Sequence, residues 1–500
     1  MAREGVDVLV IGGGITGAGI VRDAAMRGLR AGLVERGDFA SGTSSRSSKL
    51  IHGGIRYLEQ GEIGLVREAA VERRRLRRIA PHLAFPARMA MPVHGRTSAG
   101  LLKLRAGLWA YEKLVQLEED ERHEVWNRDE TVAHVGGIET SQLQGTAVFT
   151  EYVTDDARLT LETIKSAKRH GAAVASYAPA VGIEPLGARV GAGAASGNGA
   201  RSSAPRLAVR VRDELTGEEL TVACGAVVNA AGPWVDVVRR LSGEGRARMH
   251  LTKGIHLVVA RERLPLEEVL VMKAVDRRPV FIVPFHDVLW IGTTDTDYPE
   301  PEERPRITRQ DVDYLLEATN RVVPGAKIGY GDVRGAWAGV RPLVHQEGKK
   351  PSEISRRDEV ISEPGGLLSI AGGKLTTYRS MAERVVDTVV ERLGVAAGEC
   401  RTAEVPLVED GPLVPAVRTE LSDADVAYAI DEECALCVAD VLERRARSNL
   451  FAPGNGGPDA ERVAAILARR LGWDRERAER EVAGYRARIA EDVAWRAGDA

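Results

Sequence analysis

The first 35 residues restrict the fold more than any other part of the sequence. The run 6–11 is short, apolar and rich in β-branched residues, which predicts a buried strand. The glycines over 12–17 fit G-x-G-x-x-G, and apolar residues then recur at helical spacing over 16–28. A second strand is predicted over 30–34, and Glu35 follows it directly. This order predicts a β-α-β unit of the kind that binds dinucleotides.

Each glycine of this turn has a separate chemical purpose in that interpretation. Gly12 permits the tight turn, Gly14 lets the backbone approach a pyrophosphate, and Gly17 lets the helix pack on the strand. The helix N-terminus then offers free N–H groups to the phosphates. Glu35 is placed to accept hydrogen bonds from ribose hydroxyls and disfavours a 2′-phosphate. The alternative is a plain structural turn, and the turn alone does not choose between FAD and NAD.

Composition excludes several other classes of protein. A chain of 500 residues predicts two or three domains, and 69 Lys and Arg against 72 Asp and Glu do not predict a nucleic-acid binder. The 4 cysteines predict free thiols in a reducing compartment, and the C-x-x-C pair Cys434 and Cys437 favours core cysteines over a metal site. No apolar run reaches the ~18 residues that a membrane span needs, and the N-terminus enters a strand too early for a signal peptide.

Two further glycine segments carry groups that suit a flavin. Residues 41–61 combine hydroxyls, a lysine, a histidine and a glycine pair with Arg56 and Tyr57, which could bind an anionic substrate. Residues 371–379 follow an apolar strand and precede a helix whose N-terminus could face the flavin carbonyl, with Lys374 as a cation near the substrate. The alternative for the first segment is an ordinary Ser/Gly loop.

The remaining pattern predicts a β-rich middle and a helical tail. Strands are predicted at 207–212, 219–223, 226–228, 254–260, 280–284 and 288–293, and helices at 62–80, 98–117, 158–170, 376–393, 424–446, 459–470 and 474–496. Residues 191–205 are of low complexity and are predicted to form a loop without chemistry.

Eight stretches together resemble the FAD-dependent glycerol-3-phosphate dehydrogenases, the aerobic respiratory enzymes. They are Val8–Ala18, Thr43–Glu59 (TSSRSSKLIHGGIRYLE), Ala80–Pro86, Val228–Trp234, Lys253–Val258, Ile291–Asp295 (IGTTD), Gly339–Leu343 (GVRPL) and Gly372–Arg379 (GGKLTTYR). The resemblance runs in register over about residues 5–395 and more loosely into the tail. It implies FAD, because the nicotinamide-dependent enzymes with this substrate have a different layout.

The resemblance implies an α/β fold with an FAD/NAD(P)-binding Rossmann-like domain of the glutathione-reductase or D-amino-acid-oxidase type. An antiparallel β-rich substrate domain and a helical C-terminal domain complete it. We expect the oxidoreductase part over 1–395 and the helical part over 396–500. Within the first, we expect FAD-binding pieces at about 1–85, 150–235 and 365–395, and substrate or cap pieces at about 86–149 and 236–364.

The resemblance also implies an activity and roles for particular residues. The family oxidises sn-glycerol 3-phosphate to dihydroxyacetone phosphate and passes the electrons from FAD to a membrane quinone. Arg56, Tyr57, Arg341 and Lys374 are implied around the substrate phosphate, where a dianion needs charge-assisted donors. His256 is implied near the substrate as base or orienter.

Alternatives remain open for these site residues. His256 could be a satisfied core histidine, and Arg341 could form a surface ion pair. Thr293, Thr294 and Asp295 either line the same pocket or form a turn. The predicted catalytic residues are His256, Arg341 and Lys374. The predicted cofactor-binding residues are Gly12, Gly13, Gly14, Thr16, Gly17, Glu35, Arg36, Thr43, Ser44, Ser48, Lys49, Leu50, His52, Gly53, Gly54, Val181, Ala230, Gly232, Gly373, Lys374, Leu375 and Thr376, and no metal site is predicted.

Residues 100–115 mix leucines and Trp109 with Lys103, Arg105 and Lys113, which is typical of a helix lying in a membrane surface. An amphipathic helix packed on the core is the alternative. We expect a cytoplasmic protein bound peripherally to the inner face of the cell membrane, with glycerol 3-phosphate and a quinone as partners and a homodimer as an open possibility. Rival functions are a glycerol-3-phosphate oxidase, another flavoenzyme acting on 2-hydroxy acids or amino acids, and a flavin-binding protein without turnover.

Overall fold

The structure of the protein is a computed structural model that describes residues 1–52, 62–97, 99–115, 121–186, 206–299, 301, 304–345, 358–408 and 420–497. The predicted loop at 191–205 lies outside these residues. So do four predicted site residues, Gly53, Gly54, Arg56 and Tyr57.

The strands and helices of the described residues follow one another along the whole chain. The strands are β1 (Val6–Ile11), β2 (Ala31–Val34), β3 (Leu50–Ile51), β4 (Phe85–His94), β5 (Glu124–Trp126), β6 (Leu143–Val153), β7 (Ala173–Ala175), β8 (Ala180–Pro185), β9 (Leu207–Arg212), β10 (Glu219–Asn229), β11 (Met249–Ala260), β12 (Val269–Lys273), β13 (Pro279–Phe285), β14 (Val288–Gly292), β15 (Thr296–Asp297), β16 (Val333–Val344), β17 (Glu359–Ser362) and β18 (Leu367–Ala371). The helices are α1 (Ile15–Met26), α2 (Ile63–Ile79), α3 (Ala99–Val115), α4 (Arg128–His134), α5 (Asp156–Arg169), α6 (Val235–Leu241), α7 (Arg309–Val322), α8 (Tyr378–Leu393), α9 (Asp423–Asp431), α10 (Ser448–Phe451), α11 (Ala460–Leu471) and α12 (Arg475–Asp492).

The first sheet has the strand order β17-β18-β10-β1-β2-β7, with β9 paired to β10 and β8 paired to β9. β1 runs parallel to both β10 and β2, and β10 runs parallel to β18. The carboxyl ends of these strands therefore meet at one edge, which is where ligands bind in open α/β sheets. Gly12, Glu35, Ala230 and Gly372 each follow one of these strands directly, so the topology brings them to the same edge.

Helix α1 packs on this sheet and is buried on nearly every side. Its apolar residues share a cluster with Val8 and Val10 of β1 and with residues of helix α8. A Cβ at Gly19 would lie 3.0 Å from the ring of Tyr378, so α8 approaches α1 closely at this glycine. The predicted β-α-β unit is confirmed, and α1 is buried together with two charged side chains, Arg22 and Asp23.

The second sheet has the order β15-β11-β14-β13-β12-β4-β6-β3, with β16 paired to β11 and β5 to β6. It is antiparallel except where β12 runs beside β4. The long pair of β11 and β16 places His256 opposite Trp337 and Thr252 opposite Arg341. The predicted β-rich middle region is confirmed, and this pair brings the GVRPL and KGIH motifs together.

Two predicted elements differ from the structure. The strands predicted at 219–223 and 226–228 are one strand, because β10 pairs with β9 up to Cys224 and with β1 from Cys224 onward, so the two ladders meet without a break. The helix predicted at 424–446 ends at Asp431, and a π-helical turn occupies Asp440–Arg445.

The break in that predicted helix lies around Cys434, whose φ is +57°. The carboxylate of Asp440 accepts hydrogen bonds from the backbone N–H groups of Leu436 and Cys437 at 2.8 and 3.0 Å. This cap stabilises a new start of helix, which apolar spacing alone did not reveal. Cys434 and Cys437 therefore lie in the break, and the interpretation of both as residues of one continuous helix is wrong.

Candidate active site

The glycine turn after β1 leaves no room for side chains on its protein side. Gly12 has φ +115°, and a Cβ there would lie 2.7 Å from the carbonyl oxygen of Ala230. A Cβ at Gly13 would lie 2.7 Å from Phe39, and one at Gly17 would overlap the carbonyl oxygen of Gly12. A Cβ at Gly14 would meet only the Ser44 hydroxyl, at 3.1 Å. This combination of tight packing behind and free space in front fits the backbone approach of a pyrophosphate.

Glu35 holds the glycine turn in place. Its carboxylate accepts hydrogen bonds from the N–H of Gly13 at 2.6 Å and of Gly37 at 2.9 Å. Burial raises the pKa of Glu35, and these two N–H groups oppose that rise. The next residue, Arg36, lies over the ring of Trp234 at 5.1 Å. The predicted acid is thus at the carboxyl edge of β2, and its contact with a ribose stays a prediction.

The N-terminus of α1 has a partner from the second glycine segment. The Ser44 hydroxyl accepts a hydrogen bond from the N–H of Ile15 at 2.9 Å. The Thr43 hydroxyl donates to the carbonyl of Val340 on β16 at 2.6 Å. Residues 43 and 44 therefore join the dinucleotide turn of the first sheet to the second sheet.

Lys49 lies behind this segment in a fully buried position. Its ammonium donates to Asp156 at 2.7 Å and to the carbonyl of Ser45 at 3.0 Å. It also lies over the ring of Trp337 at 5.2 Å. Burial, with a smaller contribution from the charge of Arg447, lowers the pKa of Lys49 to about 8, against the opposing effect of Asp156. These contacts attach the predicted flavin segment to the N-terminus of α5.

His256 lies on β11 between β14 and β16 of the second sheet and is 2% exposed. Its ring stacks on Trp337 with centroids 4.6 Å apart and planes 9° from parallel. Its Nε2 is 2.9 Å from the Ser48 hydroxyl, and its Nδ1 has no hydrogen-bond partner among the described residues. Burial, with the charges of Arg341 and Lys49, lowers the pKa of His256 well below its usual value. The imidazole is therefore neutral near pH 7.

Arg341 lies on the same face of the β11–β16 pair as His256. Its guanidinium donates to the Thr293 hydroxyl at 2.8 Å and to the Thr294 carbonyl at 3.2 Å, and it pairs with Asp295 at 3.1 Å. A Cβ at Gly254 would meet this guanidinium and the Thr293 hydroxyl, so the glycine makes room for both. The IGTTD motif thus holds Arg341 in place through an ion pair with Asp295, and the predicted contact of Arg341 with the substrate phosphate stays a prediction.

The third glycine segment meets the second at a pair of backbone contacts. The N–H of His52 donates to the Thr376 hydroxyl at 3.2 Å, and that hydroxyl is 3.3 Å from the His52 carbonyl. Gly373 has φ +85°, and a Cβ there would overlap Met381. Lys374 precedes the 3-10 turn Leu375–Thr377, and its charge helps to lower the pKa of Glu68 against the effect of burial.

The structure thus groups most of the predicted residues around two centres. The first is the carboxyl edge of the parallel strands, with Gly12, Gly13, Gly14, Thr16, Gly17, Glu35, Ala230, Gly232 and Gly373. The second is His256 with Ser48, Lys49 and Arg341. Val181 lies on β8, where the pairing with β9 shifts register, and its predicted cofactor contact stays a prediction.

Sequence reasoning missed Trp337 and Asp156. Trp337 was the one bulky residue in a run of glycine and alanine, and the strand pairing places it against His256. Asp156 follows Asp155, the N-cap of α5, and acidic residues in a first turn are usually interpreted as dipole partners. Its contact with Lys49 spans 107 positions of sequence, which a local pattern does not reveal.

Comparison with known proteins supplies the family. Residues 7–379 match the family described as FAD dependent oxidoreductase, and residues 414–478 match the C-terminal domain of alpha-glycerophosphate oxidase. The aerobic glycerol-3-phosphate dehydrogenase of Bacillus subtilis is 40% identical over 413 residues, which cover 81% of this chain and 71% of that protein. The chain belongs to the FAD-dependent glycerol-3-phosphate dehydrogenase family.

Solved structures agree with this membership. The glycerol-3-phosphate dehydrogenase from Bacillus halodurans complexed with FAD has a TM-score of 0.76 at 29% identity, over 99% of this chain and 96% of that one. The L-alpha-glycerophosphate oxidase from Mycoplasma pneumoniae with FAD bound has a TM-score of 0.60 at 15% identity, over 82% and 99%, and shares the fold. The predicted resemblance, fold class and cofactor FAD are confirmed.

Proposed function

We propose that this protein oxidises sn-glycerol 3-phosphate to dihydroxyacetone phosphate with FAD and passes the electrons to a membrane quinone. The observation that carries the proposal is the β11–β16 pair, which places a neutral histidine and an arginine on one face. Membership of the glycerol-3-phosphate dehydrogenase family supports the substrate. FAD supplies the two-electron acceptor when it is bound.

His256 is proposed as the base for the C2 hydroxyl. We assign to His256 the neutral tautomer in which Nε2–H donates to the Ser48 hydroxyl 2.9 Å away, and this tautomer has Nδ1 as its acceptor atom. As hydride leaves C2, the hydroxyl proton passes to Nδ1. Stacking on Trp337 keeps the ring plane fixed, so Nδ1 keeps its direction. The low pKa keeps the ring unprotonated and ready to accept that proton.

Cations around the site are proposed to bind the phosphate. Arg341 pairs with Asp295, so the net positive charge of the proposed set depends on the other predicted cations, Arg56 and Lys374, as well. Arg56, Tyr57 and Lys374 complete the proposed set, with Arg56 and Tyr57 outside the described residues. Several charge-assisted donors on the phosphate dianion fix the orientation of the substrate for hydride transfer.

The predicted domain division and cofactor residues belong to this proposal. The two family matches, over 7–379 and 414–478, support an oxidoreductase part over 1–395 and a helical part over 396–500. The close contacts of Gly12, Gly13, Gly17 and Gly373 with the protein support a cofactor on their open side.

Anaerobic addition of glycerol 3-phosphate to the purified holoenzyme tests substrate and turnover together. The flavin absorbance is expected to bleach with sn-glycerol 3-phosphate and to persist with glycerol, a 2-hydroxy acid or an amino acid. Arg341→Ala should raise the substrate concentration needed for half-maximal bleaching at least about tenfold, since a charge-assisted contact is lost. Arg334→Ala is the matched control, because Arg334 lies on the same strand and is exposed. Bleaching by another class of substrate would contradict the proposal.

The electron acceptor separates the dehydrogenase from the oxidase with the same fold. We expect a soluble quinone analogue to reoxidise the reduced enzyme, with little peroxide formed in air. Stoichiometric peroxide without the quinone would favour the oxidase.

Helix α3 supports a peripheral contact with the inner face of the cell membrane. Leu102 and Trp109 are 68% and 58% exposed, and Lys103, Arg105 and Lys113 are exposed on the same helix. Apolar and basic side chains on one exposed surface suit an anionic bilayer surface. In the part of the chain that the structure describes, none of the helices is both long and apolar enough to cross a bilayer.

Charge reversal of Lys103, Arg105 and Lys113 to glutamate should lower co-sedimentation with vesicles of anionic lipid. The control reverses three exposed arginines of α12, Arg475, Arg480 and Arg486. Equal sedimentation of the two triple variants would contradict a contact through α3. The proposed quinone acceptor would remain testable by the reoxidation experiment.

A further inference from the structure

The segment that follows the π-helical turn of the C-terminal region contacts the back of the candidate site. Arg447 begins it and is 1% exposed, with φ +60°. Its guanidinium donates to the carbonyl of Ser45 at 3.3 Å and to Asp156 at 3.2 Å, and its Nε lies 3.6 Å from Asp155. A residue of the helical tail therefore binds the segment that carries Ser48 and Lys49.

Asp156 connects Arg447 to this segment, which we call the 45–49 segment. One carboxylate oxygen accepts from Lys49 and Arg447, and the other accepts from the N–H and the hydroxyl of Ser47 at 3.0 and 2.7 Å. Burial alone would raise the pKa of Asp156, but the charges of Lys49 and Arg447 outweigh it and lower the pKa. The carboxylate is therefore ionised and fully used by these donors.

The opposite side of the 45–49 segment faces the histidine. The Ser48 hydroxyl is 2.9 Å from His256 Nε2, and the carbonyl of Ser47 accepts from the indole N–H of Trp337 at 3.3 Å. The ammonium of Lys49 lies over the ring of the same indole, 5.2 Å from its centroid. The segment is thus held between Arg447 with Asp156 on one side and Trp337 with His256 on the other.

A second contact from the same part of the tail supports this arrangement. Leu450 is buried in the apolar cluster that contains Trp337 and Trp290, and Phe451 packs against that cluster. The rings of Phe451 and Phe285 lie 5.9 Å apart. The tail therefore contacts the indole that stacks on His256 as well as the segment that bonds to it.

We propose that Arg447 is a positioning residue for His256, which acts by fixing the 45–49 segment so that Ser48 sets the orientation of the imidazole. The inference rests on the proposed role of His256 as base. The planar guanidinium of Arg447 donates from Nη2 to the Ser45 carbonyl and to Asp156, and from Nη1 to the carbonyl of Glu443, in fixed directions that a lysine does not reproduce. Without them the Ser45 carbonyl loses one of its two donors, and the Ser48 hydroxyl is free to leave Nε2.

The variants Arg447→Lys and Arg447→Gln distinguish the loss of the planar guanidinium from the loss of the positive charge. Arg447→Lys keeps a cation beside Asp155 and Asp156 but loses the fork, so it should fold with FAD bound even where Arg447→Gln does not. Arg158→Gln is the matched control. Arg158 is equally buried on α5 and joins the tail through Glu433 and the carbonyl of Arg445.

Two measurements on the holoenzymes are decisive. In rapid mixing with glycerol 3-phosphate, Arg447→Lys should slow flavin bleaching about tenfold, with the half-saturating substrate concentration changed less than about twofold, because orientation rather than phosphate binding is lost. In nitrogen NMR of 15N-histidine protein, the His256 signal should shift in Arg447→Lys. The chain has 10 histidines, and His256→Asn assigns the signal.

The outcomes separate this inference from the proposed function. An unchanged His256 signal in Arg447→Lys, or an equal shift in Arg158→Gln, would overturn the positioning role. Failure of wild-type protein to bleach with any glycerol phosphate would instead overturn the proposed function, while the NMR result would still report on the position of His256. Slower bleaching together with a shifted signal only in the Arg447 variants supports the inference.

Discussion

The glycine turn after β1 and the centre around His256 both need glycines so that neighbouring atoms can approach the backbone closely. The two regions differ in how far along the sequence those neighbours lie. At the turn, Gly12, Gly13 and Gly17 meet atoms that are mostly within 30 residues of sequence, such as Phe39 and Glu35. At the second centre, a Cβ on Gly254 would meet Arg341, and a Cβ on Gly292 would overlap His256. Only the glycines of the first region form a local motif that can be recognised in the sequence.

The two regions also differ in their electrostatics. The turn offers N–H groups, and its one carboxylate, that of Glu35, is bound by two of them. At the second centre, burial of the imidazole, together with the charges of Arg341 and Lys49, lowers the pKa of His256. A polar backbone cradle suits a pyrophosphate, and a cationic pocket with a neutral base suits oxidation of an anionic alcohol. We therefore expect substitutions in the turn to impair FAD binding, and substitutions around His256 to impair substrate oxidation with FAD still bound.

The largest expected effect is on cofactor binding. Gly17→Ala places a methyl group against the carbonyl oxygen of Gly12, so α1 must move away from the turn. We expect the purified variant to lack FAD, measured as the ratio of flavin to protein absorbance. Gly64→Ala is the control, because that glycine lies on α2 with open space around its Cβ position. Full FAD in Gly17→Ala would contradict the assignment of the turn.

The next effect removes the proposed base and should leave the cofactor in place. His256→Asn keeps a polar side chain of smaller size opposite Trp337 but offers no imidazole nitrogen. We expect flavin bleaching by glycerol 3-phosphate to slow by about 10²- to 10⁴-fold, the usual range for a general base. FAD content should match that of wild type. A rate within a few fold of that of wild type would indicate that His256 is a structural core residue and not the base.

A smaller effect is expected when the space for Arg341 is reduced. Gly254→Ala adds a methyl group where the guanidinium and the Thr293 hydroxyl now lie. The arginine must shift, so the Michaelis constant for glycerol 3-phosphate should rise about tenfold with little change in FAD content. Gly335→Ala is a comparison on the partner strand, where the nearest group is the side-chain amide of Asn455 and not Arg341. Equal Michaelis constants for the two variants would indicate that Arg341 does not contact the substrate.

The smallest expected effect is on pH dependence. An unperturbed histidine has a pKa of about 6.5. The lowered pKa of His256 keeps its imidazole neutral at pH values below that point. The rate of flavin bleaching should therefore show no acid limb from His256 between about pH 8 and pH 6.5. Because the folded protein binds fewer protons at this site than the unfolded chain, His256 makes folding less favourable as the pH falls below about 6.5. Urea unfolding of His256→Asn should show a weaker loss of stability over that acid range.

Much of the first sheet was predictable from sequence, because its evidence is local. The run 6–11, the glycine motif and the acid at Glu35 lie within one β-α-β unit, and hydrophobic periodicity reports such units directly. The break at Cys434 was not predictable in this way. Asp440 caps a new turn with its own side chain, and apolar spacing continues on both sides of the break.

The sequence by itself determined the dinucleotide turn, the family and FAD, because each depends on residues that are neighbours along the chain or on motifs of fixed spelling. Only the tertiary structure decided that His256 stacks on Trp337 and bonds to Ser48, that Gly254 makes room for Arg341, and that Arg447 of the tail binds the 45–49 segment. The physical reason is distance along the chain. Hydrogen bonds and charges act over a few ångströms, and only folding brings residues hundreds of positions apart within that range.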